Sequence, residues 1–301
     1  MNAICEGSLY NICSCKKKYH LPLGLPLYDG HCHVDLFFKY GFNEVDFNSQ
    51  LAYGRKIVLI DNRHHYQRWF INYMIDNPNA KIFTTYGIHP KYIPINHERA
   101  LQELKNIFEN KINLNTSKVA IGECGIDDTS RSSFDSQLFT FRSQLQIAAT
   151  LNIQVVLHGR GENSFQIILN ELKKFLNHNH NIQWHCINTN SDLNIISDFL
   201  NYFNNSFIGL NGSVIAQDDP ESQKQFNSWL INQTNIIDRI ILETDFPFLR
   251  PPGLDPYRYT PVSGITFTAQ YIVNVLRMKN MNTTKLIDKS NSNIQRMYVI
   301  N

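Results

Sequence analysis

From Leu27 onward the chain alternates between short apolar runs and longer amphipathic stretches. The short runs are rich in Ile, Val, Leu and aromatic residues and carry few charges, as expected for strands buried on both faces. Eight runs are predicted as strands: Leu27–His33, Lys56–Ile60, Ile82–Tyr86, Val119–Glu123, Gln154–His158, Ile182–His185, Ser206–Leu210 and Arg239–Asp245. Eight strands, each followed by a helical or crossover segment, predict an α/β fold with a single (β/α)8 TIM barrel.

The amphipathic stretches between these runs predict the outer helices. They are His64–Asp76, His97–Lys111, Ser133–Leu151, Ser164–Leu176, Asp192–Phe203, Pro220–Gln233, Gly264–Met278 and Thr283–Tyr298. Asn96 and Ser191 are predicted N-caps, because both residue types accept hydrogen bonds from the first helical N–H groups. Residues 1–26 do not have the pattern of a core and are expected to form a poorly ordered N-terminal arm, so the barrel is expected to span 27–301.

Composition and charge limit the classes of function. The chain has 301 residues, 43% hydrophobic and 18% charged, which is ordinary for a globular protein. Its net charge of +2 gives the whole molecule no strong attraction for polyanions, so any affinity for nucleic acid must come from a local patch. No run approaches the roughly 18 apolar residues of a membrane span. Three of the six cysteines alternate with candidate ligands, a poor arrangement for disulfides, so an intracellular location, cytoplasmic or nuclear, is expected.

Histidines and carboxylates stand where several predicted strands end. His31 and His33 point to the same face, because successive side chains of a strand alternate. Strand ends four, five, six and eight add Glu123, His158, His185 and Asp245. Residues at the carboxyl ends of barrel strands meet at one mouth, where the active sites of this fold lie. The pattern therefore predicts a metal site, since a cation compensates buried charge.

Six candidate ligands exceed the needs of one tetrahedral ion and predict two divalent ions with a shared bridge. Glu123 is the best bridge, because a carboxylate has two oxygens. A shell of nitrogen and oxygen suits Zn²⁺, Mn²⁺ or Mg²⁺, with Mg²⁺ the least favoured by four histidines. Cys32, Cys124 and Cys186 each lie one position from a ligand and are expected to point away and pack against the helices. His64, His65, His178 and His180 stand at helix starts or in polar loops and are expected to be solvated.

Six short motifs together resemble the TatD family of metal-dependent deoxyribonucleases. They are DGHCHVD at 29–35, GIHP at 87–90, GECGID at 122–127, LHGR at 157–160, WHCI at 184–187 and ETDFPF at 243–248. The resemblance covers about residues 27–299. It implies a barrel that hydrolyses phosphodiesters at a two-metal site, often as an exonuclease at the 3′ end of single-stranded DNA or RNA.

The resemblance also implies roles for single residues. One metal would be held by His31, His33, Glu123 and Asp245, and the second by Glu123, His158 and His185. Asp245 is the candidate to take a proton from the attacking water. His89 is expected to contact a substrate phosphate or a water at the metals, and Arg160 to grip a phosphate through its guanidinium. Lys91 and Tyr92 are weaker candidates for contacts with the backbone and a base.

Two expectations stay open at this point. Glu243 shares the strand face of Asp245, so it either reaches the substrate or supports the site from behind. The loop from Phe246 to Pro261 lacks the Arg-Asn that usually precedes the family's proline here, which puts the choice of substrate in doubt. Its aromatic residues, including Tyr257 and Tyr259, either stack on unpaired bases or cap the core.

Other functions remain compatible with the residues. An amidohydrolase-type barrel acting on an amide, lactone or amine would use similar ligands, although such relatives often bridge their metals with a modified lysine where this chain has Glu123. A barrel that binds nucleic acid without catalysis is the second alternative. Retention of every ligand position favours an enzyme.

Overall fold

The computed structural model describes residues 24–37, 55–71, 79–112, 114, 117–215, 219–278 and 281–301. The strands within these ranges are β1 Leu27–Cys32, β2 Ile57–Arg63, β3 Ala80–Tyr86, β4 Ser117–Asp127, β5 Gln154–Arg160, β6 Ile182–Trp184, β7 Ser206–Leu210 and β8 Ile240–Leu242. Each overlaps a predicted run. β2 and β4 continue three and four residues past their predicted ends, because the residues beyond each predicted run still pair with the neighbouring strand.

The helices lie between and after the strands along the chain, and the first of them, Val34–Phe37, was not predicted. They are α1 Val34–Phe37, α2 His97–Phe108, α3 Phe134–Leu151, α4 Ser164–Phe175, α5 Leu193–Tyr202, α6 Pro220–Asn232, α7 Pro261–Leu276 and α8 Thr283–Tyr298. Asn96 caps α2 as predicted, since its side chain accepts from Arg99 N. The cap of α5 is Asp192 and not Ser191, whose hydroxyl accepts instead from Asn188 N. None of the helices in the described part of the chain is long and apolar enough to cross a bilayer.

The strands form one parallel sheet in the order β1 to β8, each hydrogen-bonded to the next along the chain. The sheet closes between its first and last strands. His33 N donates to Phe246 O at 2.9 Å, and Asp245 N donates to His31 O at 2.8 Å. The predicted TIM barrel is confirmed, and its closure joins the two ends that carry His31, His33 and Asp245.

Side chains of β2 illustrate how the barrel is packed. Val58 and Ile60 join a hydrophobic cluster with Met297 of α8, whereas Ile57 packs on the other face with Phe37. All three β2 residues are at most 1% exposed. Burying such a side chain is worth about 1.5–3 kcal/mol. A shift of one residue would move each side chain to the wrong face, so the register is firmly set.

The helix expected over His64–Asp76 does not form in its described part, where only Tyr66–Arg68 make a 3-10 turn. Arg63 causes this, since its guanidinium donates to Trp69 O at 3.0 Å while the Trp69 indole donates to Arg63 O at 2.8 Å. The predicted arm lies outside the described residues apart from 24–26 and stays a prediction.

Candidate metal centre

Glu123 lies at the centre of the barrel mouth and is 3% exposed. Its two oxygens face different sets of histidines. On the Oε1 side lie His31, His33 and His64, with Asp245 beyond the first two. On the Oε2 side lie His89, His158 and His185. These sets form the Oε1 side and the Oε2 side of the centre. The carboxylate between them comes from β4.

The Oε1 side is built where β1 meets β8. His31 Nε2 lies 3.5 Å from both Glu123 Oε1 and Asp245 Oδ1. His33 Nε2 lies 2.9 Å from Asp245 Oδ1 and 3.8 Å from Glu123 Oε1. The opposite ring nitrogen of His33 is 2.9 Å from Asn62 O, and a carbonyl only accepts, so Nδ1 carries the hydrogen. Nε2 of His33 is thereby aimed at the two carboxylates.

The Oε2 side collects histidines from the ends of β3, β5 and β6. The nitrogen atoms nearest to Glu123 Oε2 are His158 Nδ1 at 3.3 Å, His89 Nε2 at 3.9 Å and His185 Nε2 at 3.9 Å. His185 N donates to Leu157 O, which fixes the turn that follows β6. Three imidazoles thus face one carboxylate oxygen within 4 Å.

Two further carboxylates stand behind the Oε2 side. Asp127 Oδ2 lies 2.9 Å from His158 Nε2, and Glu243 Oε1 lies 2.8 Å from His185 Nδ1. Glu243 is completely buried and also accepts from Gln183 Nε2, Cys186 N and Asn211 Nδ2 at 2.8–2.9 Å. Its oxygens are therefore occupied within the protein. Of the two expectations for Glu243, support from behind agrees with this geometry, and contact with a substrate does not.

Charge and burial set the protonation of the central carboxylate. Burial would raise the pKa of Glu123, but the neighbouring His31 and His158 hold it well below its ordinary value. For His33 burial would lower the pKa, yet the close contact with Asp245 raises it to about 9. The same contact lowers the pKa of Asp245, although burial alone would raise it.

The other histidines divide into two types. Burial would lower the pKa of His185, but the charge of Glu243 raises it well above its ordinary value. Burial and the nearby His185 lower the pKa of His31. Burial and the nearby His158 lower the pKa of His89 well below its ordinary value. These lowered pKa values favour the neutral imidazole of His31 and His89, the form that binds cations.

The donor set fits divalent cations. Four groups of three residues have ligand atoms within 4.8 Å of one another: His31/Glu123/His185, His31/His33/Asp245, His33/His64/Glu123 and His89/Glu123/His158. His31 is fully buried, and neither of its ring nitrogens has a hydrogen-bond partner among the described residues. An unpaired buried polar atom costs about 1–3 kcal/mol, which a bound cation compensates.

Arg160 and three candidate ligands line one cavity beside the centre. The cavity has a volume of about 720 Å³ and is also lined by His158, His185 and Asp245. Arg160 is exposed at the end of β5, which places its guanidinium at the rim of this cavity. The cavity therefore presents the positive charge of Arg160 and three candidate ligands together.

The remaining predicted contacts lie on the β3 side of the mouth. His89 is 5% exposed and belongs to the Oε2 side. Lys91 Nζ lies 3.3 Å from Asp127 Oδ2 and is partly exposed. Tyr92 is 45% exposed and stacks on His64, with ring centroids 5.4 Å apart and planes inclined by 20°. All three therefore surround the centre, with Tyr92 reaching solvent.

His64 is a residue that the sequence interpretation missed. It was expected to be solvated at the start of a helix, but its Nδ1 lies 3.2 Å from Glu123 Oε1. The extension of β2 to Arg63 carries it to the barrel mouth. His180 was also expected in solvent and is instead 5% exposed with Nε2 2.8 Å from Ile153 O, whereas His178 is exposed as expected.

Asp127 was quoted in a motif but given no role. Strand alternation is the signal that identifies it, since β4 continues to this residue and positions 123, 125 and 127 share a face. Among the cysteines, Cys32 and Cys124 are fully buried in hydrophobic clusters, as predicted. Cys186 is not, because β6 ends before it and its φ of +59° breaks the alternation, so that it lines the cavity with His185.

The loop after β8 divides between core and solvent. Phe246 and Tyr259 are buried and belong to one hydrophobic cluster. The Tyr259 hydroxyl donates to Thr244 O at 2.8 Å and to Phe248 O at 2.6 Å, so Tyr259 caps the core and does not present a face to bases. Tyr257 is 97% exposed, and its role in stacking stays a prediction.

Comparison with known proteins agrees with this architecture. A metal-dependent hydrolase of uncharacterised function from Buchnera aphidicola subsp. Baizongia pistaciae is 27% identical over 285 residues, which cover 90% of this chain and 96% of the relative. A 3′-5′ ssDNA/RNA exonuclease TatD from Erwinia tasmaniensis is 24% identical over 219 residues, covering 72% of this chain and 78% of the relative.

Solved structures show the same fold. A TatD homologue from Escherichia coli superposes with a TM-score of 0.66 at 19% identity, covering 91% of this chain and 98% of the homologue. An organophosphorus hydrolase from Deinococcus radiodurans superposes with a TM-score of 0.58 at 12% identity, covering 92% of each chain. The TatD related DNase family model matches residues 28–299, so this chain belongs to the TatD family of metal-dependent hydrolases.

Proposed function

We propose that this chain is a nuclease that hydrolyses phosphodiesters of single-stranded DNA or RNA from the 3′ end, with two divalent cations. The observation that carries the proposal is the position of Glu123. Its Oε1 and Oε2 atoms each face a separate set of imidazoles. A single carboxylate between two such sets is the arrangement expected for two cations that share a bridge. Relatives named as 3′-5′ ssDNA/RNA exonucleases support the substrate class.

One cation would be held by His31, His33, Glu123 and Asp245, and the second by Glu123, His158 and His185. Bound divalent cations supply neutralisation of phosphoryl charge and activation of water. Zn²⁺, Mn²⁺ and Mg²⁺ are the candidates, with Mg²⁺ the least suited to a shell rich in imidazole.

Asp245 is the residue that accepts the proton of the attacking water. Its carboxylate lines the cavity where a phosphodiester would lie, and its pKa is held below the ordinary value by His33 and the other nearby histidines against the effect of burial. It is therefore ionised at neutral pH and able to act as a base. The water oxygen bonds to phosphorus, the bond from phosphorus to the leaving sugar oxygen breaks, and that oxygen takes up a proton.

Arg160, His89, Lys91 and Tyr92 hold the substrate in this proposal. Arg160 grips a phosphate at the rim of the cavity in bidentate fashion. His89 is neutral and close to Glu123, which suits a contact with a phosphate oxygen or a water at the centre. Lys91 lies close enough to the Oε2 side to attract a second phosphate. Tyr92 offers an exposed ring to an unpaired base.

Digestion of labelled strands tests the proposal. Purified protein is stripped with a chelator, reloaded separately with Zn²⁺, Mn²⁺ or Mg²⁺, and incubated with single-stranded DNA, single-stranded RNA, duplexes and hybrids labelled at the 5′ end. The expected result is stepwise shortening of single strands from the 3′ end that stops with the chelator. A matched Glu123→Gln preparation excludes contaminating nucleases.

Other outcomes assign the barrel differently. Turnover of lactones or amides without shortening of any strand favours the amidohydrolase alternative. If the cation-loaded protein binds labelled strands and turns over none of them, a nucleic-acid-binding barrel is favoured.

A further inference from the structure

His64 stands apart from the ligands that the motifs predict. It follows β2, whereas the other candidate ligands of the Oε1 side come from β1, β4 and β8. Of the imidazoles on that side, His64 comes closest to Glu123 Oε1, at 3.2 Å against 3.5 Å for His31 and 3.8 Å for His33. Position alone therefore gives His64 as good access to a cation as the two histidines of the β1 motif.

The nitrogen of His64 that faces Glu123 lacks a hydrogen bond. Nδ1 is buried and has no hydrogen-bond partner among the described residues, although Glu123 Oε1 is near. A buried imidazole nitrogen without a partner is costly, and a cation between it and the carboxylate would satisfy both. His33, His64 and Glu123 also form one of the groups whose ligand atoms lie within 4.8 Å of one another.

Packing holds the His64 ring in this orientation. Tyr92 stacks on one face, with centroids 5.4 Å apart and planes inclined by 20°. His33 meets it edge-on, with centroids 4.5 Å apart and planes at 88°. A ligand fixed by its neighbours loses little rotamer entropy when it binds a cation. The neighbouring His65 has a similar Tyr92 contact but belongs to none of the ligand groups in the described chain.

We infer that His64 Nδ1 is a fifth protein ligand of the cation on the Oε1 side, beside His31, His33, Glu123 and Asp245. The inference rests on the proposed metal centre and adds a ligand to it. Three imidazoles and two carboxylates favour Mn²⁺, Co²⁺ or Zn²⁺ over Mg²⁺, which prefers oxygen ligands. As a ligand, His64 would influence both the choice of metal and the room left for substrate on this side.

Titration of the stripped protein with Co²⁺ tests this without reference to activity. Wild type, His64→Ala and His65→Ala are compared by competition with a chelator and by the visible spectrum of bound Co²⁺. In His64→Ala one of two binding steps is expected to weaken at least about ten- to hundred-fold, the range caused by loss of even indirect support. His65→Ala is expected to bind as wild type does. Unchanged affinity and spectrum in His64→Ala overturn the inference.

A gain of signal separates ligation from a folding defect. In His64→Cys a thiolate would replace the imidazole and add a near-ultraviolet charge-transfer band to the Co²⁺ spectrum. His65→Cys and wild type, which contain the same native cysteines, are expected to lack the band. A His64→Cys protein that binds both ions without the band contradicts direct ligation. Failure of wild type to bind any Co²⁺, Zn²⁺ or Mn²⁺ would instead refute the proposed metal centre itself.

Discussion

The two sides of Glu123 are supported in different ways. On the Oε2 side, His158 and His185 each have a carboxylate behind the ring, Asp127 and Glu243. On the Oε1 side, the ring of His33 is held by a backbone carbonyl, and the second carboxylate, Asp245, stands among the candidate ligands themselves. A carboxylate behind an imidazole fixes its orientation and raises its basicity, but cannot reach water at the centre.

Under the proposed function, this difference gives the two sides separate tasks. Asp245 lines the cavity and has an oxygen that can take a proton, so the Oε1 side is suited to the chemical step. Glu243 is fully buried, so its oxygens serve only the protein. The Oε2 side is therefore suited to hold a cation in a fixed place. Glu123 is the residue on which both tasks depend.

The largest effect is expected for Glu123→Gln, which removes the charge that both sides share. Loss of a carboxylate bridge removes several kcal/mol of stabilisation, so kcat/KM is expected to fall roughly 10³-fold or more, and further than in His185→Ala. Both cation-binding steps are expected to weaken together. Near-normal turnover with both ions retained would falsify the bridge, and thermal unfolding of the stripped proteins controls for a folding defect.

Asp245→Asn tests the proposed proton acceptor, which is also a candidate ligand of the cation on the Oε1 side. The amide keeps the shape of the side chain but cannot accept a proton, and loss of a general base typically costs about 10²–10⁴-fold in kcat. The acidic limb of the pH–rate profile that reflects protonation of Asp245 is expected to disappear in this variant. The binding step of the Oε2 side is expected to persist. An unchanged pH profile would assign the proton transfer to another group.

Asp127→Asn examines the support behind the Oε2 side. Loss of such a partner typically costs about 10–100-fold in metal affinity, so one of the two binding steps is expected to weaken by that factor. The exposed Asp135, in the first turn of α3, gives a matched control, since Asp135→Asn removes one carboxylate that belongs to none of the candidate ligand groups in the described chain. Equal affinities in both variants would mean that His158 needs no carboxylate behind it.

The candidate ligands could be picked out because they stand beside short apolar runs. His31, His158 and His185 each lie at or next to the end of such a run in the sequence, and the burial of the run is evident from local composition. Parallel pairing then brings the carboxyl ends together at one mouth, whatever the details of the loops. For such residues local pattern and barrel topology are sufficient.

The missed residues depend on contacts far apart in the chain. β2 continues through the polar Asp61, Asn62 and Arg63 because they pair with β3, and this extension carries His64 to the centre. From the sequence alone, these polar residues predict that the strand ends before them. The burial of Glu243 likewise depends on donors from Gln183 and two other distant positions, which local pattern does not reveal.

Arg160→Ala tests whether the cavity beside the metal centre binds the substrate. The guanidinium lies at the rim and ligates nothing, so its loss is expected to raise KM for an oligonucleotide about ten-fold, the value of one exposed charged hydrogen bond. Cation content and kcat are expected to stay the same. Lost cations would make Arg160 a support of the His158 strand, and unchanged KM would place it outside the substrate path.

The smallest effect is expected for the ion pair of Glu171 and Arg142 on the outside of the barrel, which measures what such a pair contributes to stability. Glu171 is bound by Arg142 through two contacts of 2.8 and 2.9 Å, and this lowers the pKa of Glu171 from 4.5 to about 2. Because the pKa is lowered on folding, the stabilisation is complete above pH 4.5 and is lost as pH falls toward 2. Arg142 is 45% exposed, so solvent screening reduces the contribution to about 1 kcal/mol.

Urea unfolding of wild type and Glu171→Gln measures this contribution. The variant is expected to be less stable by about 1 kcal/mol at neutral pH, with the difference fading at about pH 3 and below. Both cation-binding steps are expected to be unchanged, because α4 carries Glu171 on the outside of the barrel. If Glu171→Gln weakened cation binding as much as Asp127→Asn does, both effects would reflect general stability, and the contrast between the Oε1 and Oε2 sides would lose its basis.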